Sequence, residues 1–116
     1  HLEGDKALNH VVDIIKIEIR DIDIFGRFGG EEFVILLPET EIESAHKLAL
    51  RLCRVLAESR LILQKTDVSI TASFGVSGRS IESTSDLEIL LRDADEALYR
   101  AKNSGRNRVE RCNTEL

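Results

Sequence analysis

The stretch Gly26-Arg27-Phe28-Gly29-Gly30-Glu31-Glu32-Phe33-Val34-Ile35-Leu36-Leu37-Pro38 places two adjacent carboxylates on a glycine turn between two apolar segments. A glycine pair costs the folded state backbone entropy, but it permits positive φ and lets a ligand reach the main chain without meeting a Cβ. Residues 24–28 and 32–37 read as the arms of a β-hairpin, and the unbroken apolar run from Phe33 to Leu37 suits a strand covered on both faces. Carboxylates at such a tip suit phosphate and metal chemistry. A solvated acidic hairpin tip is the alternative that spacing alone leaves open.

Outward from the hairpin, helical periods flank it on both sides. Leu8, Val11, Val12, Ile15 and Ile19 recur on one face and predict a helix over roughly residues 3–19. Pro38 closes the hairpin. Thr40 with Glu43 forms a capping box that opens a second helix over about residues 41–60, with Ile42, Ala45, Ala49, Leu52 and Leu56 inward. Val68, Ile70, Ala72, Phe74 and Val76 alternate with small polar residues or glycine, which predicts a half-buried strand paired beside the hairpin. Ser85 and Glu88 form a second capping box for a third helix. Its inner face carries Leu87, Leu90, Leu91, Ala94, Leu98 and Ala101, and Gly105 ends it. A short last strand is expected around Val109.

Helices alternating with a hairpin argue against an all-parallel doubly wound sheet and point to an α+β sandwich with helices on an antiparallel sheet. One strand placed before the first helix would complete βαββαβ, the ferredoxin-like order. No repeat, low-complexity segment or linker divides residues 1–116, so a single domain is expected. The chain contains no methionine and begins inside a helical pattern, which reads as a domain lacking its N-terminal part.

The 116 residues are enough for one modest core, and 42% apolar with 32% charged residues describes an ordered α/β or α+β protein. Sixteen basic against twenty-one acidic residues give a net charge of −5, which argues against nucleic-acid binding by general phosphate attraction. An anionic ligand would need locally placed positive charge. No run is long enough to cross a membrane and no secretory segment is visible. Cys53 and Cys112 show neither metal-ligand spacing nor a disulfide framework, which favours a reducing cytoplasm. The dinucleotide and P-loop glycine signatures are both absent. His1, His10 and His46 form no ligand pair, no nucleophilic triad is legible, and Cys53 reads as a small apolar residue.

Gly29-Gly30-Glu31-Glu32-Phe33 is the GGEEF form of the motif that names the GGDEF family of diguanylate cyclases, and the chain resembles that family well beyond it. Gly4-Asp5 with Leu8 is similar to the family's G-D-x-x-L pattern, Arg27-Phe28 to its R-[YF], and Ser73-Phe74-Gly75-Val76 to its S-[IF]-G-[VI] strand. Ala94-Asp95 through Tyr99, Ala101-Lys102 and Gly105-Arg106-Asn107 resemble its closing segment.

The resemblance implies a nucleotidyl-cyclase-like α+β fold and the condensation of two GTP into cyclic di-GMP with release of two pyrophosphates. It also implies a homodimer with one GTP on each subunit. It makes Glu31 the candidate metal ligand and aid to deprotonation, with Glu32 as a second catalytic candidate. Mg2+ or Mn2+ is the implied cofactor, since hard cations prefer carboxylate oxygens. Gly29 and Gly30 would leave room for the phosphates, Lys102 and Arg106 would reach them, and Asp5 would accept from the guanine edge. Taken without the resemblance, Lys102 and Arg106 are favourable charges at a helix C-terminus, and Asp5 is an ordinary first-turn acid.

Arg20-Asp21-Ile22-Asp23 resembles the R-x-x-D of members inhibited by their product, with Arg51 as the additional arginine. Out of that context the pattern is a surface ion pair. The alternative implied function is a catalytically silent receptor that binds GTP or cyclic di-GMP and signals through a partner. The family's opening D-x-L-T-G-L-x-N-R-R segment and first strand have no counterpart here. The reading therefore expects a fragment inactive by itself, with any membrane link made through an upstream region.

Overall fold

Residues 2–112 are described by the computed structural model, in which the apolar periods of the sequence become three helices and six short strands among those residues. The order is α1 (Leu2–Glu18), β1 (Ile24–Gly29), β2 (Glu32–Leu36), α2 (Ile42–Glu58), β3 (Leu61–Leu63), β4 (Thr66–Val68), β5 (Phe74–Val76), α3 (Thr84–Asn103) and β6 (Val109–Arg111). This is an α+β architecture, as expected. All three helices lie within a few residues of their expected spans, because each carries an uninterrupted apolar stripe. Ile15 from α1, Ala49, Leu52 and Leu56 from α2, Val76 from β5, and Ala97 and Ala101 from α3 form the buried core.

The strands are arranged differently from the expected single sheet. β1 and β2 pair antiparallel, β3 and β4 pair antiparallel, and β5 pairs in parallel with β6. Among the described residues the expected strand at 68–76 does not lie beside the hairpin and is regular only from Phe74 to Val76. Its pairing partner is β6, extended by Phe74 N donating to the Arg108 carbonyl at 2.9 Å and Cys112 N to the Val76 carbonyl at 2.7 Å. α3 packs directly over this ribbon. A Cβ at Gly75 would run into the Ala94 carbonyl and the Leu98 backbone, so helix and strand can meet here only through a glycine.

Upstream, Val68 belongs instead to a β3–β4 hairpin that the periodicity did not reveal. Leu63 pairs with Thr66, and the two turn residues Gln64 and Lys65 have φ of 49° and 66°. Positive φ at both central residues is the signature of a two-residue hairpin turn, usually written by Asn or Gly. The Gln-Lys pair adopts it here without that signal. The following residues leave the strand where the Ser69 hydroxyl donates to the Ala57 carbonyl at 2.6 Å, tying the loop to the end of α2.

Two helix starts also differ from the sequence reading. The cap position of α2 is Glu41, which makes no side-chain cap bond, so the expected Thr40–Glu43 box is not formed. At α3 the reciprocal box forms two residues earlier than expected. The Ser83 hydroxyl accepts from Asp86 N at 3.3 Å, and Asp86 Oδ2 accepts from Glu82 N at 3.0 Å. Aspartate can serve the reciprocal role of the glutamate because the bond it returns goes to a neighbouring backbone amide. Gly105 ends α3 as expected, with φ of 124° and Arg106 N donating to the Ala101 carbonyl at 3.0 Å.

Candidate active site and a second cleft

The glycine pair works through the backbone at the tip of the β1–β2 ribbon. The register runs from Ile24 opposite Leu36 to Arg27 opposite Phe33, then slips so that Gly29 faces Glu32. Phe28 is the extra residue of this bulge and is exposed. Gly30 has φ of 51°, and the space where its Cβ would stand is open. Arg27 fixes the turn: its Nε and Nη2 donate to the Gly30 carbonyl at 2.8 and 2.6 Å. Sequence reading gave Arg27 no such role. Its only signal was an arginine three residues before a glycine carbonyl that a tight turn leaves unpaired.

The two carboxylates then separate. Glu31 sits in the turn, exposed, with no hydrogen bond or ion pair to any described residue. Glu32 begins β2 and accepts from the Lys102 ammonium at 3.0 Å. Lys102 lies in the last turn of α3, so the helix end is brought to the hairpin, as a shared site requires. Arg106 lies beyond the end of the helix at φ of 60° and is exposed. Lys102 and Arg106 are therefore not neighbours on one helix face, and only Lys102 belongs to the helix. Asp5 occupies the exposed first turn of α1.

No group of three or more His, Cys, Asp or Glu side chains is placed to hold a metal among the described residues. Glu31 and Glu32 are hard oxygen donors, and Mg2+ is usually held by one or two carboxylates completed by substrate phosphates and water. An uncommitted Glu31 carboxylate beside bare glycine backbone fits that arrangement. The two do not form a self-sufficient protein cage.

A second cluster lies along an open cleft of ≈ 480 Å³ whose lining includes Glu18, Arg20, Asp23, Thr40, Lys47 and Arg51. The three residues singled out from the R-x-x-D pattern thus come together. Arg20 donates to Asp23 Oδ1 from Nε at 3.1 Å and from Nη2 at 2.6 Å, and again from Nη2 to the Thr40 hydroxyl at 2.8 Å and the Pro38 carbonyl at 3.1 Å. The Asp23 side chain is only 1% exposed against 50% for Arg20. These hydrogen bonds hold the Asp23 carboxyl below the ordinary range despite its burial, and Asp23 raises Arg20 in turn. Arg51 Nε donates to Glu18 at 2.8 Å. The hydroxyl expected to cap α2 instead accepts from Arg20, and the sequence reading made neither Thr40 nor Glu18 a member of this site.

The remaining candidates stay outside both clusters. His10 Nε2 meets the Ser59 hydroxyl at 2.8 Å, His46 Nδ1 is buried without a hydrogen-bond partner among the described residues, and His1 lies outside them. Cys53 is half-buried, and burial pushes its thiol up, away from thiolate reactivity. No described helix is long and apolar enough to cross a membrane.

Comparison with known proteins bears on the family and the fold of the chain. The family model described as "Diguanylate cyclase, GGDEF domain" matches residues 1–108. Diguanylate cyclase DgcP of Pseudomonas aeruginosa is 40% identical over 110 residues, covering 95% of this chain but only 16% of that protein's length. The structure of the active GGEEF domain of a diguanylate cyclase from Vibrio cholerae superposes with a TM-score of 0.82 at 32% identity, over 99% of this chain and 72% of that one. The GGDEF domain of DgcB from Caulobacter crescentus, solved in complex with c-di-GMP, gives a TM-score of 0.87 at 27% identity, over 98% and 67%.

Proposed function

We propose, from the premise that this chain belongs to the GGDEF domain family of diguanylate cyclases, that the protein carrying it condenses two GTP into cyclic di-GMP. The observation that carries the proposal is the hairpin tip. There an uncommitted Glu31 stands beside bare glycine backbone, while α3 delivers Lys102 to the neighbouring Glu32. In each of two equivalent steps a ribose 3′-oxygen bonds to the α-phosphorus of the other GTP, the bond to pyrophosphate breaks, and the 3′-proton passes to the Glu31 carboxylate.

Gly29 and Gly30 give the phosphate chain access to the backbone, Lys102 and Arg106 supply positive charge for the departing pyrophosphate, and Asp5 accepts from the guanine edge. Glu31, with Glu32 adjacent, would hold Mg2+ or Mn2+, which would supply neutralisation of the phosphate charge. One chain offers one such tip, so two GTP facing each other require a homodimer. GTP as substrate places the domain in the cytoplasm.

The Arg20, Asp23 and Arg51 cleft fits a second role, binding of the product phosphates as feedback inhibition, because its arginines are oriented and partly exposed. The same cleft is what favours the second reading, a silent receptor for cyclic di-GMP, a ligand seen bound to the Caulobacter domain. GTP turnover by the whole protein with Mg2+ separates them. Equal appearance of cyclic di-GMP and half the released pyrophosphate, lost in Glu31→Ala, is expected. Tight cyclic di-GMP binding with no turnover under dimerising conditions would establish the receptor instead.

A further inference from the structure

The cleft that holds Arg20 and Arg51 is not a basic pocket. Arg20, Lys47 and Arg51 share its lining with Glu18, Asp23, Glu39 and Glu41, three cations against four carboxylates. Asp23 is spoken for, since its side chain is covered and takes two nitrogens of Arg20. Glu18 is different. It stands at the end of α1, reaches 33 residues along the chain to Arg51 on the outer face of α2, and occupies that guanidinium through one bond at 2.8 Å.

The two arginines consequently offer an anion different things. Arg20 has Nε and Nη2 committed to Asp23, Thr40 and Pro38, and only Nη1 makes no hydrogen bond to a described residue. Arg51 is held only at Nε, so both terminal nitrogens remain, enough for a bidentate grip on a phosphate. Arg51 is thus the better phosphate ligand of the pair, and the charge beside it is the carboxylate of Glu18.

We infer that Glu18 is an internal counter-anion that competes with the product's phosphate for Arg51 and sets the concentration at which product inhibits. The inference rests on the product-cleft reading and adds a residue to it. Cyclic di-GMP carries two negative charges into a cleft already acidic by one, and its phosphate at Arg51 must share the guanidinium with Glu18. Between partly solvated charges a few ångströms apart, that repulsion weakens binding roughly three- to tenfold. The effect is a raised threshold, with inhibition beginning only when product accumulates.

Glu18→Gln tests this, because glutamine keeps an oxygen for the Arg51 Nε hydrogen bond and removes the charge. Calorimetric titration of the whole protein with cyclic di-GMP should show affinity rising about three- to tenfold in Glu18→Gln, the gain shrinking at about 0.5 M salt. GTP turnover at vanishing product should not change. Equal or weaker binding by Glu18→Gln, while Arg20→Ala weakens binding, would overturn the role of Glu18 and leave the product cleft standing. Unchanged binding in Arg20→Ala would overturn the product cleft itself, and the role of Glu18 with it.

Discussion

The Lys102 ammonium lies 3.0 Å from the Glu32 carboxylate, joining the last turn of α3 to a hairpin 70 residues earlier in the chain. A half-exposed pair of this kind contributes no more than about 1 kcal/mol to stability, so its importance is positional. It keeps a cation beside the acidic tip and oriented across it. Under the proposed function, an arriving triphosphate would take over that cation without moving the helix.

Lys102→Met is therefore expected to leave thermal stability within about 1 kcal/mol of the parent while raising the KM for GTP about tenfold or more. Steady-state kinetics alongside a melting curve check it. A large loss of stability with unchanged KM would make the pair structural.

The Thr40 hydroxyl accepts from Nη2 of Arg20, the same nitrogen that donates to Asp23 Oδ1. Thr40→Val keeps the shape and removes that bond, so inhibition by cyclic di-GMP should weaken several-fold while the initial rate of synthesis stays the same. Arg20→Ala should relieve inhibition further, again without abolishing synthesis. Product-inhibition curves for the three proteins give the comparison.

Gly75→Ala should be far more damaging than any change at the two sites. The new Cβ meets backbone of α3 at Ala94 and Leu98, which cannot step aside as a side chain would. A loss of at least about 2 kcal/mol is expected in chemical denaturation, since overpacking alone costs ~1–3 kcal/mol.

Acid should destabilise the protein through Asp23. Its carboxyl is lowered chiefly by the hydrogen bonds from Arg20, which the unfolded chain lacks, so the unfolded state binds the proton at higher pH than the folded state does. The stabilisation is complete above the ordinary aspartate range and is lost as pH falls through the lowered folded value. Glu43, lowered by Arg111, acts with the same sign. Melting temperature should fall as pH drops below the ordinary carboxylate range, and Asp23→Asn should flatten that fall. An unchanged slope in the variant would assign the acid sensitivity elsewhere.

Much of this protein was determined by sequence alone wherever the signal is local. The apolar stripes of α1, α2 and α3, the glycine turn between β1 and β2, and the stop at Gly105 each depend on residues a few positions apart, and each was legible. So was the meeting of Arg20 with Asp23, which lie three apart. Strand partnership was not legible, because β5 chooses β6 through an edge that has no counterpart in its own alternation, and Gln64-Lys65 turns a hairpin without the usual residues.

Tertiary structure alone decided how the charged side chains are shared. Glu31 and Glu32 are adjacent and chemically identical, yet among the described residues one has no hydrogen-bond or ion-pair partner and the other faces Lys102. Thr40 looked like a helix cap and became a hydrogen-bond partner of Arg20, while Glu18, to which the sequence reading gave no role, became the partner of Arg51. Backbone periodicity specifies which residues turn inward, but a long polar side chain chooses its partner only after packing has brought distant segments together.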